Sequence, residues 1–590
     1  MTYKEKSKHF IENEKQFQLG MIPTEQSNPV TKNLSADIMK DTKLGVKTIL
    51  AADLKIPEVV AKAMKTKEYK KLVKDLVRVM EEGKKFVLSS VGASGRMAET
   101  LGYMWRKFWS DFGKTLPKHH DLANRLIKSG MDFMTGGDRA LVQSVENYED
   151  YISFGRRQTV EANLEKGDIL LVLAECSLSS STVGSALQGD DMGISTYYFF
   201  TNPKDILTGH LERARLVFAR KKINFIDLYV GNMAVAGSTR MQSASVQLLA
   251  VGAALELAID EFLNDKLTDD EFAALGVERL KKAQYPKAYA KVLQNLNKDK
   301  AVAGLAEMID YETRIYEAKG LVTYTTHEYL VDIMTDTTER QPTFTLPPFK
   351  KFKDKTDRLS WAYIKDPLYN STVAWQHVFR RPIKGLDWTK EDYIEMKAAQ
   401  DIINNPPLVG SEQVLEYNIG KEDDPSRYSR KTSSLLLVDI NGASGNNPKV
   451  LEYFNKEKGK YSESKVLRMG MIPKGKLAKD EIKVPVKLPH TYLDLLSHMM
   501  VKVGFNLIST GTMAKMGRVW GNWMIQVFPT NKKLIDRSTR IIANLADIPY
   551  KQANEEFFYT VENRPKGEEY KESYVVETLR RLGFDPYKQR

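Results

Sequence analysis

The sequence predicts an α/β fold of two tandem domains, each a parallel sheet flanked by helices. Three observations carry this expectation. From Phe86 onward, short apolar runs bounded by Gly and Ser clusters alternate with segments of helical period, the pattern of βαβ units. The alternation pauses in a polar helical stretch near 263 to 318 and then resumes. The 590 residues are enough for roughly two to four domains of about 100 to 200 residues each.

Residues 1 to about 75 read as an N-terminal arm and helices, in which KIPEVVAKAMKTKEYKKLVKDLVRVMEE has helical spacing. The first series of strand candidates is KFVLSSVG, GDILLVLAECS, STYYFFTNP and NFIDLYVG. The second is GLVTYTTHEY, SSLLLVDINGASGNN and KVLRMGMIP. No short-period repeat or low-complexity tract interrupts them.

Composition narrows the class. With 42% hydrophobic and 10% aromatic residues the chain can bury a core, which argues against disorder. Cys176 is the only cysteine, so a disulfide framework is excluded and a reducing compartment is expected. The longest apolar run, Leu248 to Ile259, is shorter than the roughly 20 residues of a spanning helix. The opening MTYKEKSKHFIENEK has neither the apolar core of a signal peptide nor the Arg-rich, acid-poor character of a transit peptide, and a cytoplasmic protein with no membrane partner is expected. A formal charge of +12, from 88 Lys plus Arg against 76 Asp plus Glu, raises nucleic acid as a partner. The lysines, however, are spread along the chain beside acids, as in KEYKKLVKDL, with no basic stripe interleaved with aromatics. They read as a solvated surface, and no nucleic-acid partner is expected.

In open parallel sheets, ligands bind beyond the carboxyl ends of the strands. The first loop there, Val91-Gly92-Ala93-Ser94-Gly95-Arg96, combines glycines that allow a tight turn with a helix start. Free N–H groups and the Ser94 hydroxyl could hold a phosphate, although the same residues make an ordinary strand-to-helix turn. The second, Glu175-Cys176-Ser177-Leu178-Ser179-Ser180-Ser181-Thr182, offers the hydroxyls of Ser177, Ser179 and Ser180 as anion contacts or as helix caps. Two hydroxyl-rich loops on one sheet favour the anion site. Neither GxxxxGK[ST] nor a GxGxxG after a strand occurs, so no nucleotide cofactor is expected. His119 and His120 lack further ligands at metal spacing and the eight histidines are scattered, so no metal is expected. Cys176 stands at a helix start, which can depress a thiol pKa, but without a base partner it reads as a packed thiol.

Five segments in order carry a resemblance: IPTEQSNP, SSVGASGRMAE, GGDRALVQSVENYED, VAGSTRM and ISTGTMAKMGRVWGNWMIQVFPTNKKL. They resemble the signature segments of N-acetylmuramic acid 6-phosphate etherase and of its tandem relative, the glucokinase regulatory protein, both built on sugar isomerase (SIS) domains. In the etherase the GSTRM-like and STGTM-like segments lie close together in a chain of about half this length. Here they are about 270 residues apart, room for one further α/β domain. The resemblance implies an etherase-like homodimer fused into one chain, an internal pseudo-dimer expected to be monomeric. Its expected parts are an arm at 1–75, one SIS domain at 76–265, a helical connector at 266–309, a second SIS domain at 310–505 and a C-terminal helical lid at 506–590.

The two repeats depart from the family pattern in complementary ways. Where the etherase has a catalytic Glu after the GASGR loop, this chain has Met104, on an apolar stripe with Met97, Leu101, Trp105 and Phe108. Glu99 cannot replace it, because five helical residues turn its side chain about 140° away. The second repeat has Thr325-Thr326-His327-Glu328-Tyr329 for the Gly-rich loop, with neither small residues nor an evident helix start, yet DTTERQPTF places Glu339 on the etherase's Glu-bearing stretch. The expectation is one composite site, with phosphate loops from the first repeat (Gly92, Ser94, Gly95, Arg96) and Glu339 from the second. Glu149, in VENYED, matches the second acid/base Glu of the family, with Glu146 three residues before it on the same helical face.

A lid helix is expected over the last segment, with Met513, Met516, Trp520, Trp523 and Val527 as its apolar stripe and Lys515, Arg518 and Asn522 on its polar face. Lys515 and Arg518 could then close over a phosphate. Arg240, in GSTRM, is a further anion contact or a structural salt bridge. The resemblance implies a ligand that is a phosphorylated sugar or amino sugar, without cofactor. It leaves three activities open: a carbon–oxygen lyase cleaving the lactyl ether of a muramic acid 6-phosphate, with Glu149 and Glu339 as acid and base; a non-catalytic sensor acting on a partner such as a sugar kinase; and, with less support, an aldose–ketose isomerase.

Overall fold

A computed structural model describes all residues except 146, 147, 177, 357, 530, 566–571 and 588–590. Ten strands form two parallel sheets. The first comprises β1 (Phe86–Ser90), β2 (Gly130–Met134), β3 (Ile169–Leu173), β4 (Ser195–Phe200) and β5 (Asn224–Asp227), in the order β2-β1-β3-β4-β5. The second comprises β6 (Leu321–Thr325), β7 (Ala362–Lys365), β8 (Ser433–Ile440), β9 (Glu463–Gly470) and β10 (Glu481–Pro485), in the order β10-β9-β8-β6-β7. Counted from its own first strand, the second sheet repeats the order of the first. The registers place Leu88 beside Leu171 and Tyr324 beside Leu436. β1, β3 and β8 are buried along their whole length, which is why they read as continuous apolar runs rather than alternating ones.

Eight helices position the site. They are α1 (Lys67–Glu82), α2 (Gly92–Thr115), α3 (Ser180–Asp191), α4 (Gln242–Asn264), α5 (Leu330–Phe344), α6 (Ser371–Phe379), α7 (Leu495–Lys515) and α8 (Lys532–Ala546). α1 shows the local logic. Thr66 caps its first turn, Gly83 ends it in the left-handed region at φ +66°, and Tyr69, Leu72, Leu76, Val79 and Met80 form its buried stripe. α4 and α7 are buried on nearly every side and pack against each other between the sheets. Gly252 lets Leu495 approach so closely that an alanine Cβ would lie 2.5 Å from Leu495 Cδ1. A single apolar core therefore runs through both domains. An ionic cluster adds to it: Arg381 of the second domain pairs with Glu99, Asp132 and Asp138 of the first.

The structure corrects two expectations. The lid helix over 513–527 does not form. α7 ends at Lys515, Gly517 and Gly521 take positive φ, and the chain turns into a hairpin of β11 (Val519–Trp520) and β12 (Trp523–Met524). Lys515, Arg518 and Asn522 thus share no helical face, and the border drawn at 505/506 falls inside α7. A helix also starts directly after the second repeat's loop: α5 begins at Leu330, with Tyr329 in the left-handed region at φ +58°. Among the described residues, no helix is long and apolar enough to cross a membrane.

Candidate functional site

β1 runs into α2 through Val91, and no side chain caps that helix start. Gly92 adopts φ +59°, a conformation that side-chain-bearing residues avoid, so the uncapped first turn of α2 opens onto a small cavity. The cavity holds about 150 Å³. The first domain lines it with Gly92, Ala93, Glu149, Glu175 and the 237–240 loop; α5 of the second domain adds Glu339 and Pro342, and α8 adds Lys533 and Arg537.

Of the residues singled out in the sequence, Gly92, Glu149, Arg240 and Glu339 line this cavity together. Glu339 Oε1 lies 2.5 Å from Arg96 Nη1, an ion pair between the domains in which the arginine is almost fully buried. Arg96 also donates to the Gly92 carbonyl at 3.2 Å, so it braces the loop and holds Glu339 instead of facing the cavity as a phosphate contact. The Ser94 hydroxyl is likewise engaged elsewhere. It is buried and bonded to Glu175 at 3.1 Å and to Gln247. Gly95 serves packing, since an alanine Cβ there would lie 2.7 Å from Met134 Cγ. The Ser179 hydroxyl donates to Glu149 at 3.3 Å, while Ser180 opens α3 outside the cavity lining. Glu146 and Ser177 lie outside the described residues.

Arg240 is buried, with Nη1 3.0 Å from Asp336 and Nη2 bonded to Ser509 and Thr510, so its first role is a salt bridge that ties the 237–240 loop to the second domain. The two lid cations lie elsewhere. Lys515 is bonded to Thr42 at 2.7 Å and to Asp310, and Arg518 donates to the Phe344 carbonyl at 3.0 Å while stacking on Trp361. For Arg518 the reason is the hairpin that replaces the lid helix; Lys515 is the last residue of α7 and reaches Thr42 and Asp310 from it.

Three residues the sequence reading passed over stand in the cavity instead: Lys533, Arg537 and Glu175. Lys533 Nζ is 3.1 Å from Glu149, and Arg537 is paired with the fully buried Glu25 at 2.6 Å. A signal existed: two lysines in the first turn of α8 oppose the helix dipole and therefore call for a carboxylate partner. Glu175 lies in the loop already noted for its hydroxyls; an alanine Cβ on Gly92 would be 3.6 Å from Glu175 Oε1, so this carboxyl overhangs the Gly92 turn.

The electrostatics separate Glu149 from Glu175. Removal from water would raise Glu149, but the Lys533 ammonium outweighs it and holds the carboxyl below its usual range. Burial, then the neighbouring charge of Glu339, pushes Glu175 up to about 7. Cys176 is buried 3.1 Å from Glu25, and burial together with that carboxylate pushes its thiol up to about 12, so it is a packed, unreactive thiol. The site thus combines an uncapped helix start and cations on two sides with three carboxyls, one of which can carry a proton near neutrality.

These features join the fold to known proteins. Residues 68–189 match the glucokinase regulatory protein N-terminal SIS domain. An N-acetylmuramic acid 6-phosphate etherase of Actinobacillus pleuropneumoniae is 25% identical over 233 residues, 40% of this chain and 67% of the relative. Another, of Staphylococcus saprophyticus, is 54% identical over 52 residues, 9% of this chain and 18% of the relative. Among solved structures, the C-terminal domain of a Francisella tularensis glucosamine-fructose-6-phosphate aminotransferase aligns with 80% of this chain and 95% of its own, at 10% identity and a TM-score of 0.39. The matched span falls on the first sheet and the second sheet repeats its strand order, so the class is a protein with an SIS-like first domain followed by a second domain of the same strand order. Within that class the chain resembles N-acetylmuramic acid 6-phosphate etherase and the glucokinase regulatory protein.

Proposed function

We propose that the chain binds a phosphorylated sugar or amino sugar in the cavity between its SIS domains and acts as a sensor of that ligand. One observation carries the choice of sensor over lyase: each acid/base candidate already sits in an ion pair, Glu149 with Lys533 at 3.1 Å and Glu339 with Arg96 at 2.5 Å. A base that takes a proton from carbon works best with a pKa near the working pH, and Lys533 holds the Glu149 carboxyl below its usual range. The uncapped α2 start, Gly92 and the cations Arg240 and Lys533 support the phosphate end of the ligand. A ligand there would compete for the interdomain pairs, change how the domains meet, and so alter binding to a partner such as a sugar kinase.

A second reading, an etherase-type lyase, is favoured by Glu175, whose carboxyl near 7 supplies a proton donor. Incubation with N-acetylmuramic acid 6-phosphate and assay of released lactate separates the two. Release above that of a Glu149→Gln, Glu339→Gln control replaces the sensor by the lyase. Thermal midpoints with hexose 6-phosphates and fructose 1-phosphate test the site itself, because a ligand that binds only the folded chain raises the midpoint. No shift with any sugar phosphate overturns both readings.

A further inference from the structure

The second domain has its own cluster where the first has Gly92. His327 follows β6, Asp366 follows β7, and His377 lies on α6, so residues 39 and 50 positions beyond His327 converge on it. One ligand atom from each of the three lies within 4.8 Å of the other two. Asp366 is fully buried, yet its only ion-pair partner among the described residues is His327, with Nδ1 at 3.0 Å; its other contacts are the backbone N–H groups of Leu368 and Tyr369. A buried carboxylate without a lysine or arginine needs another source of positive charge. The imidazoles of His327 and His377 stack at 4.2 Å with 12° between their planes. His377 Nε2 lies 3.1 Å from the His327 carbonyl, and donating there leaves its Nδ1 lone pair free.

We infer that His327, Asp366 and His377 form a binding site for one divalent transition-metal ion of the zinc class, with solvent in the remaining position. Two imidazoles and one carboxylate are the donor set of such ions, and a doubly charged ion compensates the buried Asp366. The ion would clasp the β6 loop, the β7 loop and α6. Arg381, two residues past α6, makes the interdomain contacts with Glu99, Asp132 and Asp138, so the clasp would steady the face that grips the first domain. The inference does not depend on the ligand of the other cavity.

The test uses the full-length protein, dialysed against chelator and then titrated with zinc or cobalt(II). The expected result is one equivalent bound per chain, a raised thermal midpoint and the strong visible absorption of four-coordinate cobalt, all lost in His377→Gln and Asp366→Asn. Absence of stoichiometric uptake by the wild type, or undiminished uptake by folded variants, overturns the site. Should the variants fail to fold, ¹⁵N-histidine spectra of the wild type with and without zinc decide. Shifts at two of the eight histidines, with the other six unmoved, support it, and any other pattern overturns it.

Discussion

Arg96, the fifth residue of α2, and Glu339, on α5, meet at 2.5 Å across the boundary between the domains. The pair is unequal: the Arg96 side chain is 1% exposed and that of Glu339 is 12%. Whichever partner is left alone determines the cost of breaking it, because a stranded charge that water can reach is cheaper than one that it cannot.

Glu339→Met, which strands the buried arginine, is therefore expected to destabilise the protein by about 3 kcal/mol or more. Arg96→Met strands the more accessible carboxylate and should cost less. The double variant should recover part of the loss, and thermal midpoints of the four proteins in a double-mutant cycle read the coupling. Additive effects would mean that the pair holds nothing together.

Glu175 makes both stability and anion binding pH-dependent. Its folded pKa of about 7 lies above the ordinary carboxylate value of about 4.3, so its favourable contribution is complete below that ordinary value and disappears as pH rises through 7. Ionised, it also repels an anion at the Gly92 turn. Hexose phosphate affinity should therefore fall from pH 6 to pH 8, by at most about tenfold per pH unit. In Glu175→Gln the decline should flatten, which calorimetry across that range measures, with Glu339, Lys533, Arg240 and Lys502 as the other charged neighbours left in place.

Gly92→Ala forces a side chain into the left-handed conformation at φ +59° and points a methyl toward Glu175. A cost of about 1 to 3 kcal/mol is expected from the backbone. The midpoint shift produced by a sugar phosphate should vanish, whereas the unliganded fold should survive, as far-ultraviolet circular dichroism would show.

Lys533→Met removes the cation that holds Glu149 ionised. The carboxyl then experiences burial unopposed, and its pKa moves up. The wild-type carboxyl, depressed in the fold, contributes stability above the ordinary value that is lost as pH falls through its folded pKa. The variant should thus lose most stability at pH 8 and least near pH 4, and equal losses at both would exclude the pairing.

Cys176, buried and with its thiol raised to about 12, should resist alkylation by iodoacetamide at pH 8 in the native protein and react on unfolding. Rapid native labelling, followed by intact mass, would contradict its packing.

Most of the strands legible in the sequence are buried on both faces or long, such as β3, β4 and β8, although the short edge strand β5 was legible too. β2, β7 and β10 were missed, and all three are sheet edges. Edge strands here are short or mix buried with exposed positions, so their hydrophobic pattern is weak. In the site, Gly92, Glu149, Arg240 and Glu339 were identified because they sit in extended motifs. Arg518 was misplaced because helical spacing was carried through Gly517 and Gly521, whose positive φ ends it, and Lys515, still on α7, is engaged by the distant Thr42 and Asp310. The partners of Lys533 and Arg537, Glu149 and Glu25, are hundreds of residues away, so the two first-turn lysines of α8 signal that a carboxylate is needed without saying which one.

The distance between Glu25 and Arg537 also sets a clock. They are 512 positions apart, and at the usual 5 to 20 residues synthesised per second Glu25 waits roughly half a minute to two minutes for its arginine. Throughout that interval the N-terminal segment has no α8 to hold it, and the cavity lacks Lys533. A nascent chain therefore spends that interval with an unfinished cavity and an acid seeking a cation. The sugar-phosphate recognition proposed above would begin only once α8 has been made.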